Sequence, residues 1–498
     1  MTDMKKYTLY LSSLALLAAC AGQPKEYTSG TDVSIFPDYT DITVPVNIAP
    51  TNFMIQDPAD KYLTVLESGN VKVQLKGEKV CVPIRKWRKL TAQGDITVTV
   101  FEEKADGWVK MKPFSIYVAD EIDSYLSYRV IPTLYESYQR LSINQRNLTN
   151  FKEKVIYANT MASKGEQTQC INCHSFKNWS TDNMQFHIRQ YLGGTIMYRD
   201  GKLQKLNLKT DSTISAAVYP SWHPTHDYIA YSTNKTFQNF HTNHTNRIEV
   251  FDDESDLILY NLSDNSVSIV ENDPEEFECY PSWAPDGKTL YYVSAYMGDP
   301  EELKKKGGPV TANSNGTFKY SLYAKDFDPD TRTWGPKRMF YDAAARDSSI
   351  TWPRVSPDGR WLLCCLSTHG VFPPNQEVSD LIVFDLKNGT RRYVDELNSK
   401  KSESYHSWSS SGKWVVISSR REDGVHTRPY FAHLNSDGTF TKPFLLPEKD
   451  PEFMHKFLYS FNIPEFTVDP VKVSARELAA FVKSTDATPG SYEQKRGE

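Results

Sequence analysis

The chain has 498 residues, a formal charge of −5, 39 % hydrophobic residues and 13 % aromatic ones. That length allows two or three domains with sizeable cores. The weakly acidic balance argues against a nucleic-acid surface, which needs a basic field. Many Tyr and Trp suit β-structure. Seven Cys are too few and too scattered for a disulfide scaffold.

The N-terminus reads as an export signal. Lys5 and Lys6 precede an apolar stretch from Leu9 to Leu17, too short to span a bilayer, and Leu17-Ala18-Ala19-Cys20 follows. Small residues before a cysteine resemble the bacterial lipobox. By that resemblance residues 1–19 are a signal peptide and Cys20 is the lipidated first mature residue. The expected location is then the cell envelope, on the periplasmic side or at the outer membrane, held to the membrane by an N-terminal lipid anchor. Loss of Asp3, Lys5 and Lys6 with the leader takes the charge to −6. Residues 20–30 read as a polar tether.

Residues 31–119 are predicted to be a β-sandwich-like domain. Segments 62–66, 71–75, 79–84, 95–101 and 114–118 alternate apolar and polar residues, with turn signals such as Ser68-Gly69-Asn70 between them. From residue 120 the pattern changes. Leu134, Tyr138 and Leu141 recur at helical spacing, so residues 120–192 are predicted to be a helical connector.

That connector carries Cys170-Ile171-Asn172-Cys173-His174. Two cysteines two residues apart and followed by histidine form the attachment sequence for a c-type haem. Each thiol adds to a vinyl group, and the imidazole becomes the proximal iron ligand. With seven Cys and eleven His, about 0.002 chance occurrences are expected. A redox-active or disulfide pair beside an unrelated His remains open, as does half of a zinc site, although no other Cys-x-x-Cys pair completes one. Met184 and His187 are the nearest candidates for the sixth iron position, Met184 implying a higher potential and His187 a lower one. Met161, Met197, His223, His406 and Met454 are more distant candidates. Arg129, Arg140, Arg146 and Arg189 could pair with haem propionates, and Tyr157, Phe176 and Trp179 could wall the group.

The remaining residues, 193–498, are predicted to be a β-propeller with a C-terminal tail. Tyr219-Pro-Ser-Trp, Tyr280-Pro-Ser-Trp, Trp352-Pro-Arg-Val and Tyr405-His-Ser-Trp each lead through a turn into an apolar run, with Pro220, Pro281, Pro353 and His406 spaced by 61, 72 and 53 residues. Proline sets φ, Asp caps the turn, and Gly takes positive φ before the next strand. Repeated four-stranded units of this length make a propeller of five to six blades, five being the working number.

These repeats resemble the TolB-type propeller family. Together with Cys170–Phe176, Met184–Arg189 and Gly193-Gly194-Thr195, they resemble exported bacterial proteins that join a haem-attachment motif to such a propeller. Databases have sometimes labelled those proteins cytochrome c biosynthesis factors. The resemblance implies one covalent haem c, electron transfer or redox sensing, and a propeller that docks a redox or scaffold protein. Two other readings stay open. The propeller could be a protein- or glycan-binding module. Alternatively His223, His226 and His406 could hold a metal in a carbohydrate-active enzyme, in weak resemblance to propeller-type oligogalacturonate lyases.

Overall fold

The computed structural model describes residues 23–132, 138–242, 248–309 and 318–493. The expected signal peptide and Cys20 lie outside the described residues. Among those described, no helix is long and apolar enough to cross a membrane. The chain is mainly β, as predicted.

The first domain follows the alternation. Lys61–Ser68, Val71–Lys76, Ile96–Lys104 and Phe114–Ala119 belong to a seven-stranded sheet, and Ile35–Phe36, Phe53–Ile55 and Lys79–Val80 form a second, three-stranded one. Their inward residues, among them Ile42, Val98 and Ile116, build an apolar core with Trp87 and Leu90 of the helix Ile84–Thr91. The expected tether is shorter than residues 20–30, because Thr28–Ser29 pair in parallel with Val109 and Lys110. The core runs on into the propeller. Polar contacts fix the junction: the Tyr39 hydroxyl donates to the Leu445 carbonyl at 3.1 Å, and the Trp414 indole donates to the Asp120 carbonyl at 3.2 Å.

The predicted helical connector is corrected. Tyr125–Pro132, Ser142–Asn147 and Glu153–Ala158 are strands, and the only helical turns in that stretch among the described residues are the short 3-10 segments Tyr138–Arg140 and Asn159–Met161. Leu134 lies outside the described residues. The three strands form one sheet with Tyr459–Thr467, more than 300 residues downstream, which pairs with Tyr125–Pro132. This sheet is a blade. Five others follow in chain order, and their innermost strands are Gln169–Lys177, Ala217–Trp222, Glu276–Trp283, Ser349–Val355 and Glu403–Trp408. Each innermost strand touches the next, and Tyr459–Thr467 touches both Glu403–Trp408 and Gln169–Lys177. The ring therefore closes at six blades, one more than the working number. The closing blade takes one strand from the C-terminal part of the chain and three from before blade one, so no sheet edge is left open at the seam. The propeller begins near Tyr125, not at residue 193.

The C-terminal segment is also more than a tail. The helix Ala475–Ser484, capped by the Ser474 side chain, buries Leu478 and Val482 against blades one and six. Thr488–Pro489 and Ser491–Tyr492 then add edge strands to blades one and two.

Candidate functional site: the central channel

The Cys170–His174 motif lies in the innermost strand of blade one, with its backbone on the channel. Its local geometry repeats that of the other blades. Cys173 has φ of +52°, as Tyr219, Tyr280, Trp352 and Ile463 have values of +50° to +54° in their own innermost strands. Each of these five is followed by a residue that leaves the strand register: Pro220, Pro281, Pro353, Pro464 and, in blade one, His174. Cys173-His174-Ser175-Phe176 is thus the blade-one version of Tyr-Pro-Ser-Trp. The bulge re-aims the strand. Cys170 and Cys173, three apart and so on opposite faces of a regular strand, consequently line the same cavity.

That upper cavity has a volume of about 480 Å³. Arg129 and Arg189 line it beside the two cysteines, with the rings of Tyr219, Phe240, Phe372 and Tyr405. Below it the channel narrows to about 20 Å³, where Cys173, His174, Tyr219 and Ile463 meet the prolines of blades two to four. Neither cysteine is in a disulfide. Cys170 is half-buried and Cys173 buried. Burial pushes the Cys173 thiol up, opposed by the Tyr219 backbone and by Arg189 and Arg129.

His174 is 3 % exposed, and neither ring nitrogen makes a hydrogen bond of good geometry among the described residues, although the Ser127 and Ile463 backbones lie close enough to interact with it. Burial, helped by the nearby Arg129 and opposed by the Ser127 and Ile463 backbones, pushes its pKa down to about 3, so the ring is neutral at pH 7. His406 occupies the equivalent place in blade five. Its Nε2 meets the Leu363 carbonyl at 3.0 Å and its Nδ1 meets Cys365 Sγ at 3.7 Å. The fold can therefore satisfy a histidine at this position, whereas in blade one the ring has no contact of comparable geometry.

The other sequence candidates are scattered. Met184 lies in the apolar core between blades one and six, beside Ile171 and Phe186. His187 is buried with Nδ1 3.1 Å from Thr195 Oγ1, and burial pushes it down to about 3. Neither lines the channel chambers; both are held inside the blade by the pairing that packs it. Met161, Met197 and Met454 are likewise in or against apolar cores. Of the four arginines, Arg129 and Arg189 reach the upper cavity, whereas Arg140 is exposed and Arg146 is tied to Glu448 at 3.1 Å. Tyr157 is a core residue bonded to Gln169, and Phe176 and Trp179 line a lower chamber.

The second-metal expectation fails on geometry. His223 Nε2 meets the Gly287 carbonyl at 2.9 Å, its Nδ1 accepts the backbone N–H of His226 at 3.0 Å, and the His226 side chain is exposed and faces Asp330. His406 sits in blade five. Among the described residues no group of three His, Cys, Asp or Glu side chains is placed to hold a metal ion. Sequence reasoning missed the cavity-lining Tyr219, Phe240, Phe372, Tyr405 and Ile463. Tyr219 and Tyr405 carry a signal, because they are the aromatic of the repeat that Cys173 replaces.

The fold and channel define a six-bladed β-propeller joined to an N-terminal β-domain. No protein-family model and no curated protein matches the chain. Among solved structures, TolB from Acinetobacter baumannii is similar at 10 % identity over 77 % of this chain and 85 % of that one, with a TM-score of 0.43. A cobalt-substituted apocarotenoid oxygenase from Synechocystis shows 14 % identity over 84 % and 95 %, TM-score 0.39. An oligogalacturonate lyase in complex with manganese shows 13 % identity over 83 % and 96 %, TM-score 0.31. At such low scores the likeness settles nothing, and the propeller assignment rests on the sheet order and ring closure.

Proposed function

We propose that the protein is a lipid-anchored cell-envelope propeller that carries one covalent haem c at the upper end of its channel and transfers or senses electrons. The observation that carries this reading is the contrast between His174 and His406. A buried imidazole whose nitrogens have only the poorly aligned Ser127 and Ile463 backbones nearby is under-satisfied, and such a ring directly after two cysteines that share a cavity fits an iron ligand. Cys170 and Cys173 would hold the group through thioether bonds and His174 through the iron. Arg129 and Arg189 would meet its propionates, since guanidinium matches carboxylate geometry. Bound there, haem supplies one-electron chemistry. The aromatic rings around the cavity limit water access, and the rigid blades fix the mouth against which a redox or scaffold protein docks. Cys20 would supply the anchor.

The test is a pyridine haemochrome spectrum of full-length protein made in cells with haem-ligation machinery, together with the mass of the tryptic peptide 165–177, which contains both cysteines. The expected result is covalently retained haem on that peptide and its loss in the Cys170→Ala/Cys173→Ala variant. A peptide of unmodified mass from such cells overturns the proposal.

A further inference from the structure

The lower mouth of the channel carries a second constellation, across the narrow middle from the cysteines. The residue two positions after the channel aromatic is Ser221, Ser282 and Ser407 in blades two, three and five, and Ser175 holds the same place in blade one. In blade four it becomes Arg354 and in blade six Glu465. All six line one cavity of about 160 Å³, roughly the liquid volume of five waters and so room for a single ring. The Arg354 and Glu465 side chains are 29 % and 16 % exposed, and Arg354 Nη2 stands 3.9 Å from Glu465 Oε1. That separation is longer than a hydrogen bond, so although the Phe176 backbone N–H already engages the Glu465 carboxyl, a donor and a remaining acceptor stand beside each other on the wall.

Three of the four indoles around them are fixed, Trp283 being the exception with no partner for its N–H among the described residues. Trp222 Nε1 donates to Ser175 Oγ at 3.0 Å, Trp408 Nε1 to the Arg354 carbonyl at 3.0 Å, and Trp179 Nε1 to the Trp408 carbonyl at 2.8 Å. With their N–H groups engaged, these rings offer apolar faces to the chamber. Adjacent opposite charges give the site no net charge with which to attract an ion, and a charged ligand leaves either Arg354 or Glu465 unmatched. Paired donor and acceptor groups, hydroxyls and aromatic faces suit a ring that is apolar on its faces and hydroxylated at its edge. We propose that the lower chamber binds a neutral pyranose unit of a saccharide.

The experiment titrates the full mature protein with glucose, galactose, mannose and N-acetylglucosamine, and with glucuronate and glycine betaine as charged comparisons. Tryptophan fluorescence and calorimetry are the readouts. The expected result is saturable binding of at least one neutral sugar with a dissociation constant in the millimolar range. Glu465→Gln, which keeps the shape, and Arg354→Gln are each expected to weaken it about tenfold. Unchanged urea midpoints confirm that the variants fold, and Glu465→Gln carries the test if Arg354→Gln does not. The proposal is overturned if no neutral sugar saturates below about 10 mM. Tighter binding of glucuronate or glycine betaine, or an affinity unmoved by Glu465→Gln, overturns it equally.

Discussion

Replacing His174 by leucine should stabilise the haem-free protein, whereas the same change at His406 should destabilise it. Both rings are buried, at 3 % and 4 % exposure, in equivalent strands. The neutral His174 ring has one N–H and one lone pair that make no well-aligned hydrogen bond, with only the Ser127 and Ile463 backbones nearby. A buried unsatisfied group costs about 1–3 kcal/mol, and a swap of similar volume costs less than about 1.5 kcal/mol in packing, so His174→Leu should gain about 1–3 kcal/mol. His406→Leu removes the donor 3.0 Å from the Leu363 carbonyl and should lose about 1–3 kcal/mol. The assay is urea unfolding of protein made in the cytoplasm without residues 1–20, with midpoints compared at a common slope. The pH dependence adds an independent readout. The folded-state pKa of His174, about 3, lies below the unfolded value of 6.5, so the unfolded chain takes up the proton first. Its effect is absent above pH 6.5 and destabilises as pH falls toward 3, by about 1.4 kcal/mol per pH unit. His174→Leu should flatten the acid limb accordingly. If His174→Leu destabilises the protein as much as His406→Leu does, the His174 nitrogens have structural partners and the argument for a ligand role fails.

Three further outcomes are expected. Glu278 is fully buried among Asp256 and Glu276, and burial above all pushes it up to about 9. The folded state therefore holds a proton that the unfolded state releases above 4.5, so Glu278→Gln should raise the urea midpoint at pH 8 and leave it unchanged at pH 4. Truncation after Leu458 removes the innermost strand of blade six and should abolish the protease-resistant propeller. Truncation after Thr485 removes only the edge strands of blades one and two and should leave that core intact in limited proteolysis. Gly287 has φ of +70°, and a β-carbon there would stand 2.4 Å from the His223 ring, whereas Gly389 has φ of +68° and open space. Gly287→Ala should cost at least 1 kcal/mol more, roughly, than Gly389→Ala in thermal or urea unfolding.

The first domain and blades two to five were readable because their signals are local. Alternation along Ile96–Lys104 and the turn after Trp283 each act within one hairpin. Blade six was not readable, since Tyr125–Pro132 finds its partner only when Tyr459–Thr467 returns from the far end of the chain. Blade one was hidden by its own chemistry. Where the repeat has an aromatic and a proline, it has Cys173 and His174, so the haem motif concealed the structural one. Helical spacing at Leu134, Tyr138 and Leu141 misled because three positions are too few to set a period, and Leu141 and Ile143 are buried at the entry to the strand Ser142–Asn147. At the channel, the motif located Cys170, Cys173 and His174. Met184 and His187 were proposed by sequence proximity, which antiparallel pairing defeats by directing them into the blade.

Closure of the ring by Tyr459–Thr467 imposes an order of assembly. Cys173 is 7 % exposed and His174 3 % exposed once that strand is seated beside them. The seating strand is synthesised nearly three hundred residues after the cysteines. Any enzyme that modifies these thiols has its access during that interval, on a barrel still missing its last stave. A chain that closes first has shut its own workshop door.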